Sequence, residues 1–374
     1  MSKEKVEIAV LPGDGIGREV VSAAVAVMDA VQSRVGKFNL HLTDYPAGAL
    51  AFQQTGTALS DDTVRALQGA DAILLGAMGL PHIRYPDGTE ISPQLDIREQ
   101  LELYAGVRPI RPLPGLALKL ADPRAADIDF VLVREQTEGL FYERGKTLFK
   151  GDEEARDAMV ITRKGSARVF DFAFRLAERR KARGYPGRVT GVDKANVLGS
   201  MAFFRKVFEE RALAFPEIAA ESAYIDAMAL NLVMKPWTYD VLVTENMFGD
   251  ILSDLSAGLV GGMGMAPSAD IGDKHALFQP AHGSAPDIAG SGRANPTATI
   301  LSVAMMYEWL EERCGLEAFG DAADLLQQSV TQVFADGAVQ PCEFGGSSGT
   351  QDIARAVIER VKAVPLRGAK GVRR

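Results

Sequence analysis

Asp250 and Asp254 stand four residues apart in the stretch VTENMFGDILSDLSAG. On a helix that spacing sends both carboxylates from one face, one turn apart, so they can converge on a single small target. Two like charges so placed repel unless a cation lies between them, and oxygen ligands suit a hard divalent ion. An isolated pair of this kind is also what a solvated helix start looks like, since the helix dipole favours acids there. The two readings separate on whether the chain supplies further groups of matching chemistry. Arg98, Arg108 and Arg134 sit at or near predicted element ends. Singly each reads as a surface charge; converged, they form a bidentate clamp for carboxylates that lysine copies less well. Asp226 offers a third carboxylate, one helix and one strand before Asp250, and two successive α/β units can bring all three acids to one sheet edge. Lys194 follows a strand in VDKANVLG.

The elements that must position these groups alternate between strand and helix. Residues 241–244 read as a buried strand, 246–249 as a turn, and Asp250 onward as a helix with Leu252, Leu255 and Leu259 on its apolar side. Near the N-terminus, strand 6–11 runs into Gly13, Gly15 and Gly17 before a helix carrying Val20, Val21, Ala24 and Val27. The spacing is GxGxG rather than GxGxxG, and the next acid, Asp44, lies too far on for a ribose ligand, so this is a strand-turn-helix glycine loop and not a Rossmann fingerprint. Residues 72–76 form an all-apolar strand that empties into a Gly/Pro-rich loop, a place where α/β sheets hold ligands. Ser92 and Pro93 predict the start of helix 94–104, stopped by Gly106, with Gln94 and Arg98 on one face and Arg108 just beyond. Arg134 ends strand 128–133.

Further on, 158–163 reads as a strand, and Ser166 caps a helix through Phe170, Phe174 and Ala177 that closes as a solvated basic C-terminus, ERRKARGYPG. Strand 188–192 delivers Lys194, and ESAYIDAMALNLVMKP is a helix carrying Asp226. AHGSAPDIAGSGRANPTATILS is a long irregular loop of the kind that carries function. Covering helices follow at about 300–314, 322–334 and 351–364, and the tail LRGAKGVRR is expected to fray.

Composition narrows the class. At 374 residues the chain exceeds one comfortable core and predicts two domains, and 47% hydrophobic with 24% charged residues is ordinary for a globular enzyme. A net charge of −8 argues against nucleic acid as the main partner. Only Cys314 and Cys342 occur, too few for a disulfide framework, which fits a reducing cytoplasm. The start MSKEKVEIAVLPGDG lacks the apolar core of a signal peptide, and no run approaches the 18 apolar residues of a membrane span.

Together, LPGDGIG at 11–17, the three arginines, VDKANVL at 192–198, IDAMALNLV around Asp226, NMFGDILSDL around Asp250 and Asp254, and HGSAPDIAG at 282–290 resemble the β-decarboxylating dehydrogenases over nearly the full length. That family comprises 3-isopropylmalate, isocitrate, homoisocitrate and tartrate dehydrogenases. The resemblance implies an isopropylmalate dehydrogenase-like fold, not a Rossmann fold: two α/β domains, 1–103 with 261–374 and 104–260, with the active site in the cleft between them. It further implies a homodimer in which each site borrows Lys194 and Asp226 from the partner. No nucleic-acid or membrane partner is implied.

By the same resemblance a small di- or tricarboxylate is gripped by Arg98, Arg108 and Arg134, while Mg²⁺ or Mn²⁺ is held by Asp226, Asp250 and Asp254. Lys194, helped by Asp226, takes the hydroxyl proton; hydride passes from C2 to NAD; the β-keto acid then loses CO₂. The cofactor falls to Ile16, Gly76, Ala77, His282, Gly283, Ser284, Ala285, Asp287, Ile288 and Asn295. Asp287 favours NAD, because a carboxylate accepts from both ribose hydroxyls and repels a 2′-phosphate. The group on the third carbon meets Ile91, Ser92, Gln94 and Leu95, a set more polar than that of isopropylmalate enzymes. A 3-isopropylmalate-type substrate, and with it leucine biosynthesis, stands first, with tartrate or malate and isocitrate or homoisocitrate as alternatives. The family also includes non-catalytic regulatory subunits, but this chain keeps Lys194 and all three aspartates.

One position departs from the pattern. The family places its final acid, a tyrosine, seven residues after the third arginine; here that position is Phe141, with Tyr142 beside it. A shift of one residue turns a side chain to another face, so Tyr142 does not simply substitute. The hypothesis that follows is that decarboxylation uses another acid or is inefficient here. A Phe141→Tyr variant is expected to shift product partitioning from undecarboxylated keto acid towards CO₂, measured by trapping both products; unchanged partitioning counts against it.

Overall fold

The computed structural model describes residues 5–366, so the expected fraying of the tail from 367 onward lies outside the described residues. The chain forms two compact units. The first uses both chain ends, through Leu101 and from Val260, with the short stretch Leu113–Ala117; the second comprises Glu102–Pro112 and Leu118–Leu259.

The first unit opens with β1 (Val6–Gly13), α1 (Gly17–Val35), β2 (Leu40–Asp44), α2 (Ala49–Thr55), α3 (Asp61–Gly69), β3 (Ala72–Ala77) and α4 (Pro93–Gln100). β3 is buried at every residue, as an unbroken apolar run in a parallel sheet requires, and α1 turns Val20, Val21, Ala24 and Val27 inward. The second unit contributes β4 (Ala105–Ile110), β5 (Phe130–Glu135), a hairpin of β6 (Leu148–Lys150) and β7 (Glu154–Arg156), and α5 (Arg163–Ala182). It continues with β8 (Arg188–Asp193), α6 (Gly199–Ala212), β9 (Ala219–Tyr224), α7 (Ile225–Met234), β10 (Val241–Thr244) and α8 (Asn246–Val260). Its strands lie in the order β4-β5-β10-β8-β9, all parallel except β4. The chain then returns to the first unit with β11 (Pro267–Ile271), β12 (Ala276–Pro280), α9 (Thr297–Cys314), α10 (Glu317–Ala335) and α11 (Thr350–Ala363). Here the order is β2-β1-β3-β12-β11, with only β11 antiparallel to its neighbour. Among the described residues no helix is long and apolar enough to cross a membrane.

Several boundaries differ from those predicted, each for a local reason. α4 stops at Gln100 because Glu102 takes a left-handed φ of 50°, so Gly106 and Arg108 lie within β4 rather than just past a helix. α8 begins at Asn246, four residues early, because the Glu245 carboxylate accepts the amides of Met247 and Phe248 and so satisfies donors that a helix start leaves open. Residues 158–163 form only a bridge between Val160 and Gly139; the cap of α5 is Thr162, whose hydroxyl accepts the Gly165 amide, and Ser166 is buried inside the helix. The stretch before Asp226 is strand β9, and the helix starts only at Ile225. On α8, Leu252 and Leu259 are buried while Leu255 is half-buried. Strands β2, β6, β7, β11 and β12 are not among those predicted; β6 and β7 are short and exposed, and β11 lies within a stretch too mixed to show a period.

The basic end of α5 is not fully solvated. Arg180 donates from Nε to Asp240 at 2.6 Å and from Nη2 to Asp129 at 3.1 Å, and Asp240 also accepts the amides of Gly187 and Arg188. The Asp240 side chain is 0% exposed, so removing its cation strands a buried charge. Arg180→Ala is expected to lower stability to urea by about 3 kcal/mol; a loss below about 1 kcal/mol, the range of a surface pair, counts against this account.

Candidate active site

In the second unit, β5 and α8 build one charged cluster. Arg134 is buried in β5; its Nε and Nη2 donate to Asn246 Oδ1 at 3.0 and 2.7 Å, and Nη1 pairs with Asp250. Gly249 leaves room for that side chain, since a Cβ there would lie 2.5 Å from Arg134 Cγ. Asp250 and Asp254 leave the same face of α8 one turn apart, as their spacing requires. Burial, and then the charge of Asp250, hold the Asp254 carboxyl above the usual aspartate range, while Arg108 and Arg134 pull the other way. Asp250, Arg108 and Arg134 therefore all lie close enough to act on the Asp254 carboxyl. Arg108 is buried in β4. An oxygen-donor pair that strains against its own charge fits a divalent cation, and the adjoining guanidinium groups fit the anion bound with it.

Lys194 follows β8 and donates to Asp226 at 2.6 Å; that hydrogen bond holds the exposed Asp226 below the usual aspartate range. Among the described residues no three His, Cys, Asp or Glu side chains gather to hold a metal ion. Asp226 and Asp250 follow the parallel strands β9 and β10 and so lie at one sheet edge, as expected, but within one chain Asp226 does not gather with Asp250 and Asp254 into a single cluster. The reason is topological: β8 lies between β10, which feeds α8, and β9, which feeds α7. Phe141 sits in a short turn with its ring centre 5.6 Å from the Arg134 guanidinium. Tyr142 is 44% exposed, beneath the Lys146 ammonium. The side facing the arginine therefore carries a ring without a hydroxyl.

In the first unit, the C-terminal ends of the parallel strands β1, β3 and β12 lie along one edge. A Cβ on Gly13 would lie 1.9 Å from the Ala77 carbonyl oxygen, and one on Gly15 would lie 2.0 Å from that of Ser284; both glycines hold positive φ, 70° and 54°. The glycine loop thus admits the backbones of two neighbouring loops, which explains a spacing unsuited to a phosphate turn. Gly76 is likewise tight against Pro12. Beside this junction is a cavity of about 330 Å³ whose lining includes Ile16, His282, Ala285, Ile288 and Asn295. The His282 Nε2 is buried without a partner, and burial holds the ring below the usual histidine range. An apolar cavity with an orphaned ring nitrogen fits the adenine end of a dinucleotide. Asp287 and Gly283 are exposed on the same loop. Arg293, Cys342 and Glu343 also line the cavity, and Glu343 accepts from Asn295 at 2.8 Å; no pattern in the 341–349 segment pointed to it.

Arg98 is buried on α4 and donates from Nε to Asp270 at 2.8 Å, an acid that Gln279 also contacts. Asp270 was missed because β11 was missed. Ser92 occupies the cap position of α4 without a side-chain cap bond, and Gln94 Oε1 is buried without a partner.

A family model described as isocitrate/isopropylmalate dehydrogenase matches residues 7–357. The 3-isopropylmalate/3-methylmalate dehydrogenase of Methanocaldococcus jannaschii is 42% identical, over 95% of this chain and 99% of that protein. A probable tartrate dehydrogenase/decarboxylase of Bacillus subtilis is 37% identical over 97% and 99%. The crystal structure of isocitrate dehydrogenase from Methylococcus capsulatus superposes with a TM-score of 0.84 at 37% identity, covering 96% of this chain and 99% of that one. The scaffold is that of an α/β oxidoreductase. The chain belongs to the isocitrate/isopropylmalate dehydrogenase family, and with that membership its reaction class is the decarboxylating oxidation of a hydroxy acid.

Next to Arg134, Glu135 is buried in β5 and accepts from the Thr137 hydroxyl and the amides of Thr137 and Glu138. Burial outweighs these donors and pushes its carboxyl up to about 7 from 4.5. Between those values the unfolded chain has released the proton and the folded one keeps it, so stability falls as pH rises through the window, by about 3 kcal/mol in all. Glu135→Gln is expected to flatten the stability profile between pH 5 and 7 in urea titrations; an unchanged slope counts against the shift.

Proposed function

We propose that the protein oxidises and decarboxylates a 3-substituted malate of the 3-isopropylmalate type, using NAD and Mg²⁺ or Mn²⁺. The observation that carries this reading is the cluster on β4, β5 and α8, where Asp250 and Asp254 repel beside Arg108 and Arg134. Arg98, Arg108 and Arg134 hold the substrate carboxylates, each guanidinium presenting a planar fork to an anion. Asp250 and Asp254, joined by Asp226 of the partner subunit, hold the cation. Lys194 of the partner subunit, oriented by Asp226, carries the hydroxyl proton away. A divalent ion held there would supply the charge that acidifies the substrate hydroxyl, and a nicotinamide held by the first unit would supply the hydride acceptor. His282, Ile16 and Ile288 seat the dinucleotide, and Asp287 favours NAD over NADP.

A homodimer is supported by apolar surface on the second unit: Leu230 and Met234 on α7 are 63% and 64% exposed, and Leu148 and Phe149 of the hairpin 70% and 74%. Leu230 and Met234 share α7 with Asp226, which does not gather with Asp250 and Asp254 within one chain.

A second reading, a tartrate-type substrate, is favoured by Gln94: its buried oxygen has no partner and would accept from a hydroxyl on the third carbon. The test is reduction of NAD and NADP by the pure protein with Mn²⁺ across 3-isopropylmalate, tartrate, malate, isocitrate and homoisocitrate. The expected result is fastest turnover with 3-isopropylmalate and NAD, lost on chelation and lowered at least about a hundredfold in Asp254→Asn. Tartrate ahead of the others selects the second reading; silence on all five sinks both.

A further inference from the structure

The glycine loop contains an acid that the proposed chemistry leaves unused. Asp14 is 0% exposed. Its Oδ2 accepts the amides of Ala49 at 2.7 Å and Gly79 at 2.8 Å, and its Oδ1 accepts that of Leu50 at 2.9 Å. A buried carboxyl group must have its oxygens satisfied, and here the donors that satisfy it are backbone amides from two separate segments of the first unit. From Gly79 the connection continues: its carbonyl accepts the Ser284 hydroxyl, and the Ser284 carbonyl accepts the Ile16 amide at 2.8 Å. The Asp14 amide closes the circuit by donating to Ala77 at 2.7 Å. The loops after β1, β3 and β12 are thereby tied into one hydrogen-bonded ring. Directly beyond Ser284, Ala285 holds φ at 36°, a conformation a residue with a Cβ keeps only where its surroundings impose it. Ile16 and Ala285, at either side of the Ser284–Ile16 bond, both line the 330 Å³ cavity.

We propose that Asp14 is a positioning residue for the dinucleotide site, acting through Gly79 and Ser284 to hold Ala285 and the 282–290 loop in the shape that receives the cofactor. The Ser284 hydroxyl serves as a latch between loops. This rests on the reading of that cavity as the NAD site.

Two measurements on the full-length protein test it: NAD binding by titration calorimetry without substrate, and hydrogen–deuterium exchange of the 282–290 segment without NAD. Asp14→Asn and Ser284→Ala are each expected to weaken NAD binding about tenfold, the scale of one buried hydrogen bond to or near a charged group. Both are expected to speed exchange in that segment while leaving the second unit's exchange unchanged. Because the two residues act along one path, the double variant is expected to be no weaker than the worse single one. Should Asp14→Asn fail to fold, Ser284→Ala decides the matter. Wild-type affinity and exchange in Ser284→Ala, or fully additive losses in the double variant, overturn the proposal. If the wild-type protein binds no NAD, the cofactor reading falls by itself, and the exchange of 282–290 still decides whether the ring positions the loop.

Discussion

Repulsion between Asp250 and Asp254 sets the terms on which the second unit is built. One turn apart on α8, the two carboxylates repel and are steadied where positive charge is close. The fold supplies it from the next strand over. Arg134 pairs with Asp250, and Asn246 accepts from two of its nitrogens while donating to the Glu138 carbonyl. The guanidinium, the start of α8 and the loop leading to Phe141 are thus one connected body.

The first unit obeys a different constraint, close approach of backbones. Where Gly13 and Gly15 pass within contact distance of Ala77 and Ser284, no side chain fits, and the loops at three parallel strand ends become a single surface. A cavity bounded by such loops is shaped by main chain, which has few alternative positions, and its apolar lining needs only a few polar groups for orientation. His282, Arg293, Asn295 and Glu343 are the polar groups of that lining.

Buried acids are accommodated in two ways. Asp240 and Asp193 are neutralised by arginines, Arg180 and Arg205, whereas Asp14 relies on amides alone. The first arrangement stabilises a fold locally; the second fixes the relative placement of chain segments far apart in sequence, which is the more useful property beside a binding site.

Much of this was legible in the sequence because it depends on periodicity and local spacing. The i,i+4 aspartates, the apolar strands at 72–76 and 241–244, the buried face of α1 and the covering helices are properties of residues near one another, and the α/β class follows from their alternation. Element ends were less legible wherever a distant or unusual group decided them, as the Glu245 carboxylate did for α8 and the left-handed Glu102 for α4. Which charges meet was not legible at all. Nothing along the chain couples Arg98 to Asp270, Arg180 to Asp240, or Asp14 to Gly79, separated by 172, 60 and 65 residues. Sequence spacing alone determined the chemistry available, an acid pair, arginines and a lysine. Tertiary structure decided which of them share a field, because Coulomb and hydrogen-bond energies depend on distance in space, and only strand order, with β8 set between β10 and β9, keeps Asp226 from its two fellow acids within one chain.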